Sequence, residues 1–272
     1  SEGERMIPTG FEEAFAEAKA HARREFPLES CGLIVSGKYI ACENVAADPS
    51  EHKEGDRNCN CKRCSFVIDP AVYAKYATGG NIDFVVHSHP NGPFYPSKAD
   101  MEGQLATAVP WAIIALDDER VGDPICWGDS LPIAPVLGRQ FMHGVHDCYS
   151  LVRDCFRLGK DELARQDIHG WPYDPIKLRE YPRDDAWWED NEDLYMKNFI
   201  REGFMRIDFE DAAPGDIFLM KIRSSQFNHA GLLLDNGLIL HHLPSRLSRR
   251  EPAGIWARQA GVWLRYVGFD NA

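Results

Sequence analysis

Residues 85–100 read VVHSHPNGPFYPSKAD, and this run decides how the first half of the chain is built. It begins inside IDFVVHSHP (82–90), an apolar stretch with the composition of a buried strand. Alternate residues of a strand face the same way, so His87 and His89 can aim at one point. SKADMEGQLATAV (97–109) follows a turn and reads as a helix. Ser97 is a good N-cap, and Asp100 at the third helical position completes a capping box with Asp in place of Glu. Asp100 is thereby carried on the element after the histidines. Two imidazoles and a carboxylate make a three-ligand zinc set with one position open, which hydrolytic zinc requires. Glu29, upstream in PLESCGL (27–33), is the candidate base for the water, and Ser97 the candidate donor to the oxyanion. Taken alone, Ser97 and Asp100 read as a helix cap and His-x-His as an ordinary strand pattern. Together with Glu29 the set is specific.

The flanking segments alternate in type. GFEEAFAEAKAHARREFP (10–27) reads as a helix limited by Pro27, and CGLIVSGKYIACENV (31–45) as two strands around Ser36-Gly37. Residues 48–64 read as a polar loop, 69–80 as a short helix closed by glycines, and WAIIALD (111–117) as a strand. This is a mixed α/β or α+β module. Residues 129–146 contain two prolines and two glycines without a long period, so the boundary falls there. The expected domains are residues 6–132 and 137–272. The second opens with the helix DCYSLVRDCFRL (147–158), continues through a polar and aromatic stretch from Lys160 to Asp193, and reaches a helix ending near Glu202. PGDIFLMKI (214–222) and the hairpin-like HAGLLLDNGLILHH (229–242) come after it. Helix before strands predicts a segregated α+β fold.

With 272 residues, 44% hydrophobic and 26% charged, the chain has globular composition and room for two domains. The net charge of −12 is uneven, because residues 1–132 carry 12 Lys and Arg against 21 Asp and Glu. That balance argues against nucleic acid as a partner. No apolar run is long enough for a membrane-spanning helix. The N-terminus lacks a basic-then-apolar leader pattern, and Ser1–Arg5 read as an expression scar. The eight cysteines do not form a disulfide framework for this length, so synthesis in a reducing cytosol is expected.

The second half holds another constellation. Asp147 is a good N-cap and places Cys148 at the first helical position, where the positive end of the helix favours a thiolate. Cys148 also shares a helical stripe with Leu151, Val152 and Cys155, which by itself would make it a core residue. The histidines shift the balance. A thiol nucleophile needs an imidazole partner and a group to orient it, and His229 and His241 or His242 stand at the two ends of the hairpin. Pairing Leu234 with Leu238 across a three-residue loop puts His241 on the face of His229. A two-residue loop selects His242. Hairpin rules alone leave both registers open.

Three features resist assignment. Cys59, Cys61 and Cys64 in CNCKRC, with His52 or Cys42 as fourth donor, fit a second metal site, either structural zinc or an iron–sulfur cluster. Trp171, Trp187 and Trp188 read as core beneath a long insertion or as the lining of a groove. His143 and His146 fit no motif and are expected at the surface.

The spacing of Glu29, His87-Ser88-His89, seven residues, Ser97, two residues and Asp100 resembles the JAMM (Mov34-type) metalloprotease family without a departure. The resemblance covers residues 6–130 and implies zinc at His87, His89 and Asp100, Glu29 as general base, Ser97 as oxyanion support, and amide or isopeptide cleavage. DCYSLV (147–152), PGDIF (214–218) and HAGLLLDNGLILH (229–241) resemble the NlpC family of papain-like cell-wall peptidases. That resemblance implies attack by Cys148, His229 as base, His241 as its orienting group, and peptidoglycan stem peptides as substrate. Tyr149 departs from the small residue the family often has beside the nucleophile. The order of the two modules resembles the tail-tip assembly proteins of lambda-like siphophages. It implies a virion component at the tail tip, made in the host cytoplasm, partnered by other tail-tip proteins and acting at the host cell wall or periplasm. Two other readings compete: a structural tail-tip component whose zinc module only docks, and a cellular deconjugating protease.

Overall fold

In the computed structural model, which describes residues 7–47, 52 and 59–268, the chain divides into two compact units, Ser1–Pro132 and Ile133–Ala272. In the first, α1 (Glu12–Glu25) buries Ala14, Phe15, Ala18 and Ala22, the spacing of one helical face. Acidic residues open it, Arg23 and Arg24 close it, and Pro27 lies just beyond. β1 (Cys31–Val35) and β2 (Lys38–Cys42) form a hairpin whose two turn residues, Ser36 and Gly37, both take positive φ, as a two-residue turn of this hand requires. α2 (Pro70–Ala77) is capped by Asp69 and leads into β3 (Ile82–Pro90). α3 (Lys98–Thr107) then crosses over to β4 (Trp111–Leu116), parallel to β3, and β5 (Ile125–Trp127) adds an antiparallel edge.

The sheet order β2-β1-β3-β4-β5 makes β3 the central strand, which is why its sequence reads apolar throughout. Phe84 and Val86 face α1, where the ring of Phe84 meets Phe11 and Phe15 edge-on. Val85, His87 and His89 therefore point from the other face.

The second unit begins with α4 (Cys148–Arg165), longer than the sequence predicts and broken at Gly159. Gly159 has φ +70°, and a Cβ there would meet the Pro175 ring at 2.6 Å. After an irregular stretch come α5 (Leu194–Asn198), which stops short of Glu202, and β6 (Phe204–Ile207). β7 (Ile217–Met220), β8 (His229–Leu233), β9 (Leu238–His241), β10 (Arg249–Pro252), α6 (Gly254–Gln259) and β11 (Val262–Tyr266) complete the unit. The sheet order is β10-β9-β8-β7-β11-β6. α4 packs on it through Leu151, Val152, Cys155 and Phe156 against Leu219, Ala230, Leu232 and Leu240. Trp171 belongs to this core and meets the rings of Phe156 and Tyr173. Trp187 is also buried and packs on Tyr195. Helix and sheet thus occupy separate layers in a mixed α/β chain.

Candidate functional site

Antiparallel pairing of β1 with β3 sets Cys31 opposite His87, and the ladder continues through the Ser88 N–H, which donates to the Ser30 carbonyl at 3.0 Å. One further step puts Glu29 across from His89, on the face that carries both histidines. α3 adds the remaining groups. Ser97 Oγ accepts from the Asp100 N–H at 3.1 Å, and Asp100 Oδ2 accepts from the Ser97 N–H at 2.8 Å, so the capping box is real. The cap is also what aims the carboxylate. Asp100 Oδ1 lies 3.1 Å from His87 Nε2 and Oδ2 3.4 Å from His89 Nε2.

The two Nε2 atoms are 3.0 Å apart. His89 Nδ1 is 2.8 Å from the Pro93 carbonyl, which fixes its proton there and turns an Nε2 lone pair inward. Phe66 stacks on the His87 ring at a centroid distance of 4.4 Å. The inward atoms of His87, His89 and Asp100 all lie within 4.8 Å of one another. Two imidazole Nε2 atoms and a carboxylate converging on one point fit a divalent cation, and His87 Nδ1 is left buried with no hydrogen-bond partner among the described residues. Burial raises the Asp100 carboxyl, but His87 and His89 overcome it and hold the group well below the usual range. Burial lowers the His87 ring despite Asp100. It also opposes protonation of His89, which Asp100 and Glu29 nonetheless favour. Burial lifts Glu29 to about 8 against the pull of His89. The Ser97 hydroxyl donates to Asp100 Oδ2 at 2.7 Å, so its proton points at the ligand carboxylate.

Cys59, Cys61 and Cys64 come together with His52, within 4.8 Å of one another. Cys42 is not among them; its thiol donates to the Ile40 carbonyl at 3.6 Å.

In the second unit Asp147 caps α4, accepting from the Ser150 N–H at 2.9 Å, and Cys148 is the first helical residue. The thiol lies 3.2 Å from the Tyr195 hydroxyl and 3.9 Å from the Asn228 carbonyl, and the Ala230 N–H points at it. Asn228 and Ala230 flank His229, so the sulfur sits against the backbone that carries the imidazole. Burial and then Asp147 raise the Cys148 thiol, against the pull of Tyr195, Ala230 and Arg183.

The hairpin register pairs Gly231 with His241 and Leu233 with Ile239, and the Leu234 N–H donates to the Leu238 carbonyl at 2.8 Å. This is the three-residue loop, with Asn236 and Gly237 at positive φ. It brings His241 Nδ1 to 3.1 Å from His229 Nε2. His242 points the other way, with Nε2 3.1 Å from the Arg246 carbonyl and Phe141 against its ring. A side chain at Gly231 would collide with the Phe218 ring, which leans on His229.

The chain of contacts does not stop at His241. Its Nε2 lies 2.6 Å from Glu251 Oε2, delivered by β10. A carboxylate there fixes a proton on His241 Nε2. His241 Nδ1 must then accept, and His229 Nε2 must donate to it. His229 Nδ1 is left as a lone pair. Burial, with His241 and His242 adding, lowers His229 to about 3, so the ring is neutral.

Three groups here were not read from the sequence. Glu251 sits in a strand with no strong pattern, Arg183 lies in the irregular stretch, and Tyr195 lies in the short helix α5. Arg183 Nη2 and Nε donate to Asp147 Oδ2 at 2.8 and 3.0 Å, and Nη1 donates to Glu180 at 2.6 Å. Burial raises the Asp147 carboxyl, but Arg183, His143 and the N–H groups of Ser150 and Gly144 together hold it well below the usual carboxylate range. His143 is buried rather than at the surface, with Nε2 2.9 Å from the Arg183 carbonyl. Its ring props the loop that presents Asp147. Tyr149, the departure beside Cys148, lies beneath the Arg183 guanidinium at 5.3 Å. Its bulk supports this ion cluster.

Residues 11–127 match the family of prokaryotic homologs of the JAB domain, and residues 136–263 match the NlpC/P60 family. Together they define a tandem of two peptidase-type hydrolase modules. The chain is 32% identical over 256 residues to tail tip assembly protein K of Escherichia phage N15, covering 91% of each. It is 34% identical over 216 residues to tail tip assembly protein K of Escherichia phage lambda, covering 75% of this chain and 96% of that one. A probable TtuB-protein conjugate cleaving protease of Thermus thermophilus is 29% identical over 119 residues, covering 42% of this chain and 72% of that protein. The chain belongs to the tail tip assembly protein K family.

Proposed function

We propose that this chain is a tail-tip peptidase that cleaves peptidoglycan stem peptides at Cys148, with a zinc-dependent amide or isopeptide hydrolase as its first module. The observation that carries this reading is the ordered series from His229 to His241 to Glu251, with the Cys148 thiol lying against the backbone of Asn228 and Ala230 on either side of His229. The thiol proton passes to His229 Nδ1 as sulfur bonds to the substrate carbonyl carbon. His229 then returns that proton to the departing amine as the C–N bond breaks. Water adds to the thioester, and the acid leaves with the thiol restored. His241, held by Glu251, keeps His229 in the accepting tautomer and shares the positive charge that develops.

In the first module His87, His89 and Asp100 would hold zinc, which polarises a carbonyl and lowers the pKa of water. Glu29, across from His89, takes the proton. Ser97, whose hydroxyl donates to Asp100 Oδ2, would support a developing oxyanion if that carboxylate were a metal ligand. The conjugate-cleaving relative supports an amide or isopeptide substrate.

The relatives' names support a place at the virion tail tip among other tail proteins. We infer synthesis in the host cytoplasm and action at the host cell wall or periplasm during genome entry. Among the described residues no helix is long and apolar enough to cross a membrane. The test is mass spectrometry of purified stem peptides after incubation with the wild-type chain. New fragments are expected, and an unchanged spectrum rejects the cell-wall substrate.

A further inference from the structure

The geometry points to a second, closed metal site in the first module: one zinc ion held by His52 Nδ1 and the thiolates of Cys59, Cys61 and Cys64, bracing the three-ligand centre. The six distances among these donors describe a small tetrahedron. The sulfurs are separated by 3.4 Å (Cys59–Cys61), 3.7 Å (Cys61–Cys64) and 2.9 Å (Cys59–Cys64). His52 Nδ1 lies 3.4 Å from Cys61, 3.8 Å from Cys59 and 3.4 Å from Cys64. Zinc–sulfur bonds of about 2.3 Å at tetrahedral angles give edges of roughly 3.8 Å, with slightly shorter edges to a nitrogen. The protein ligands of an iron–sulfur cluster are divided among two or more irons and do not all converge on one point, whereas these four donors lie 2.9 to 3.8 Å from one another, which suits a single shared ion.

The backbone is shaped for it. The N–H groups of Cys64 and Ser65 both donate to the Cys61 carbonyl at 2.9 Å, folding a turn around the sulfurs. Lys62 and Arg63, inside that turn, bring positive charge beside a centre whose net charge is about −1 when three thiolates and a neutral imidazole hold Zn²⁺. Four protein ligands leave no open position, so the site is structural rather than hydrolytic.

Its placement gives it a role. The Glu29 N–H donates to the Lys62 carbonyl, between two of the cysteines, at 2.7 Å. Asn44 Nδ2 donates to the Glu29 and Ser65 carbonyls, both at 3.0 Å. Two residues after Cys64, Phe66 stacks on the ring of His87. The metal-tied turn therefore holds the base residue's backbone on one side and a ligand ring on the other. Metal binding by the cysteines stands independently; the bracing rests on the three-ligand reading above.

Full-length protein prepared with zinc should contain two ions per chain, and the Cys59→Ser/Cys64→Ser variant one. After cobalt substitution, thiolate-to-cobalt charge-transfer absorption should appear in wild type and in His87→Ala and vanish in the cysteine variant. His87→Ala keeps that absorption while losing its own ion, so failure at one centre is not confused with failure at the other. In the cysteine variant a chelator should strip the remaining ion about tenfold faster, as loss of an outer support does. An unchanged rate overturns the bracing. Should the variant not fold, mercurial titration of wild type should release one zinc in step with modification of Cys59, Cys61 and Cys64, read by peptide mapping among the eight free thiols. Absence of the thiolate absorption, or a Cys59–Cys64 disulfide in place of free thiols, overturns the site.

Discussion

Two pairs of histidines, one in each module, are wired in opposite ways. His87 and His89 point the same nitrogen, Nε2, at a shared centre 3.0 Å across, and Asp100 closes on it. His229 and His241 are joined head to tail, Nε2 to Nδ1, and the series ends on Glu251. Convergent lone pairs need a cation between them. Lone pairs in series need a proton passed along them. The difference arises from topology: alternate residues of one strand converge, whereas residues across a hairpin can stand in line. On the proposed reading the same side chain serves a metal in one case and a thiol in the other, and its neighbours decide which.

The sharpest way to break this comparison is Cys148→Ala. It should lower stem-peptide cleavage by at least about 10³-fold and leave zinc content unchanged, as read by fragment analysis and metal assay. His87→Ala should do the reverse. If either variant loses both properties while remaining folded, the two centres do not work separately.

Next come His241→Ala and His242→Ala. The first removes the orienting group and should cost on the order of 10²-fold or more in kcat. The second removes a buried ring whose Nε2 lies against the Arg246 carbonyl and whose side meets Phe141, and should act on stability far more than on kcat. Equal losses in kcat would undo the series. Glu251→Gln should fall between them, because the amide no longer holds the His241 proton in place.

Acid should separate the modules by their melting. Burial lowers His229 to about 3 and His242 and His146 to about 4, against 6.5 when unfolded. The unfolded chain thus binds more protons as pH falls below about 6.5. Stability from these rings is complete above that pH, is lost progressively as pH falls from about 6.5 toward the folded values, and changes no further below them. The transition assigned to the second module should move to lower temperature between pH 7 and pH 5 in calorimetry. A constant transition would mean that the rings are not buried as neutral bases.

The smallest effect is expected of Ser97→Ala. Loss of the cap should cost about 1 kcal/mol, measured by chemical unfolding of the zinc-loaded chain, with His87 and His89 still binding. The Ser97 N–H, which the variant keeps, should still hold Asp100 Oδ2 in place, and loss of the metal instead would mean that the hydroxyl does the aiming.

The convergent pair was legible because its parts lie close together in sequence and two periodicities, strand and helix, carry them to one place. Glu29 was legible as the upstream carboxylate of the family spacing, and its place across from His89 came only with the pairing of β1 and β3. The serial pair was only half legible. A turn of Asp235, Asn236 and Gly237 allows more than one register, and the choice between His241 and His242 needed the observed pairing of Leu234 with Leu238. Glu251 was hidden because β10 has no strong alternation, and its partner is fixed by the sheet rather than by spacing. Arg183 and Tyr195 come from a stretch without a repeat, where side-chain contacts determine the path. His143 looked superficial for the same reason, although it is buried beneath Arg183. Among the metal-type cysteines, spacing brought out Cys59, Cys61 and Cys64, but choosing His52 over Cys42 required the fold.

The most direct test is stem-peptide digestion by the full-length chain with a strong zinc chelator present, read by mass spectrometry beside the Cys148→Ala chain with zinc retained. Fragments from the chelated wild type and none from the variant are expected. Fragments that vanish on chelation and persist in the variant would contradict the assignment of proton transfer to one histidine pair and metal binding to the other.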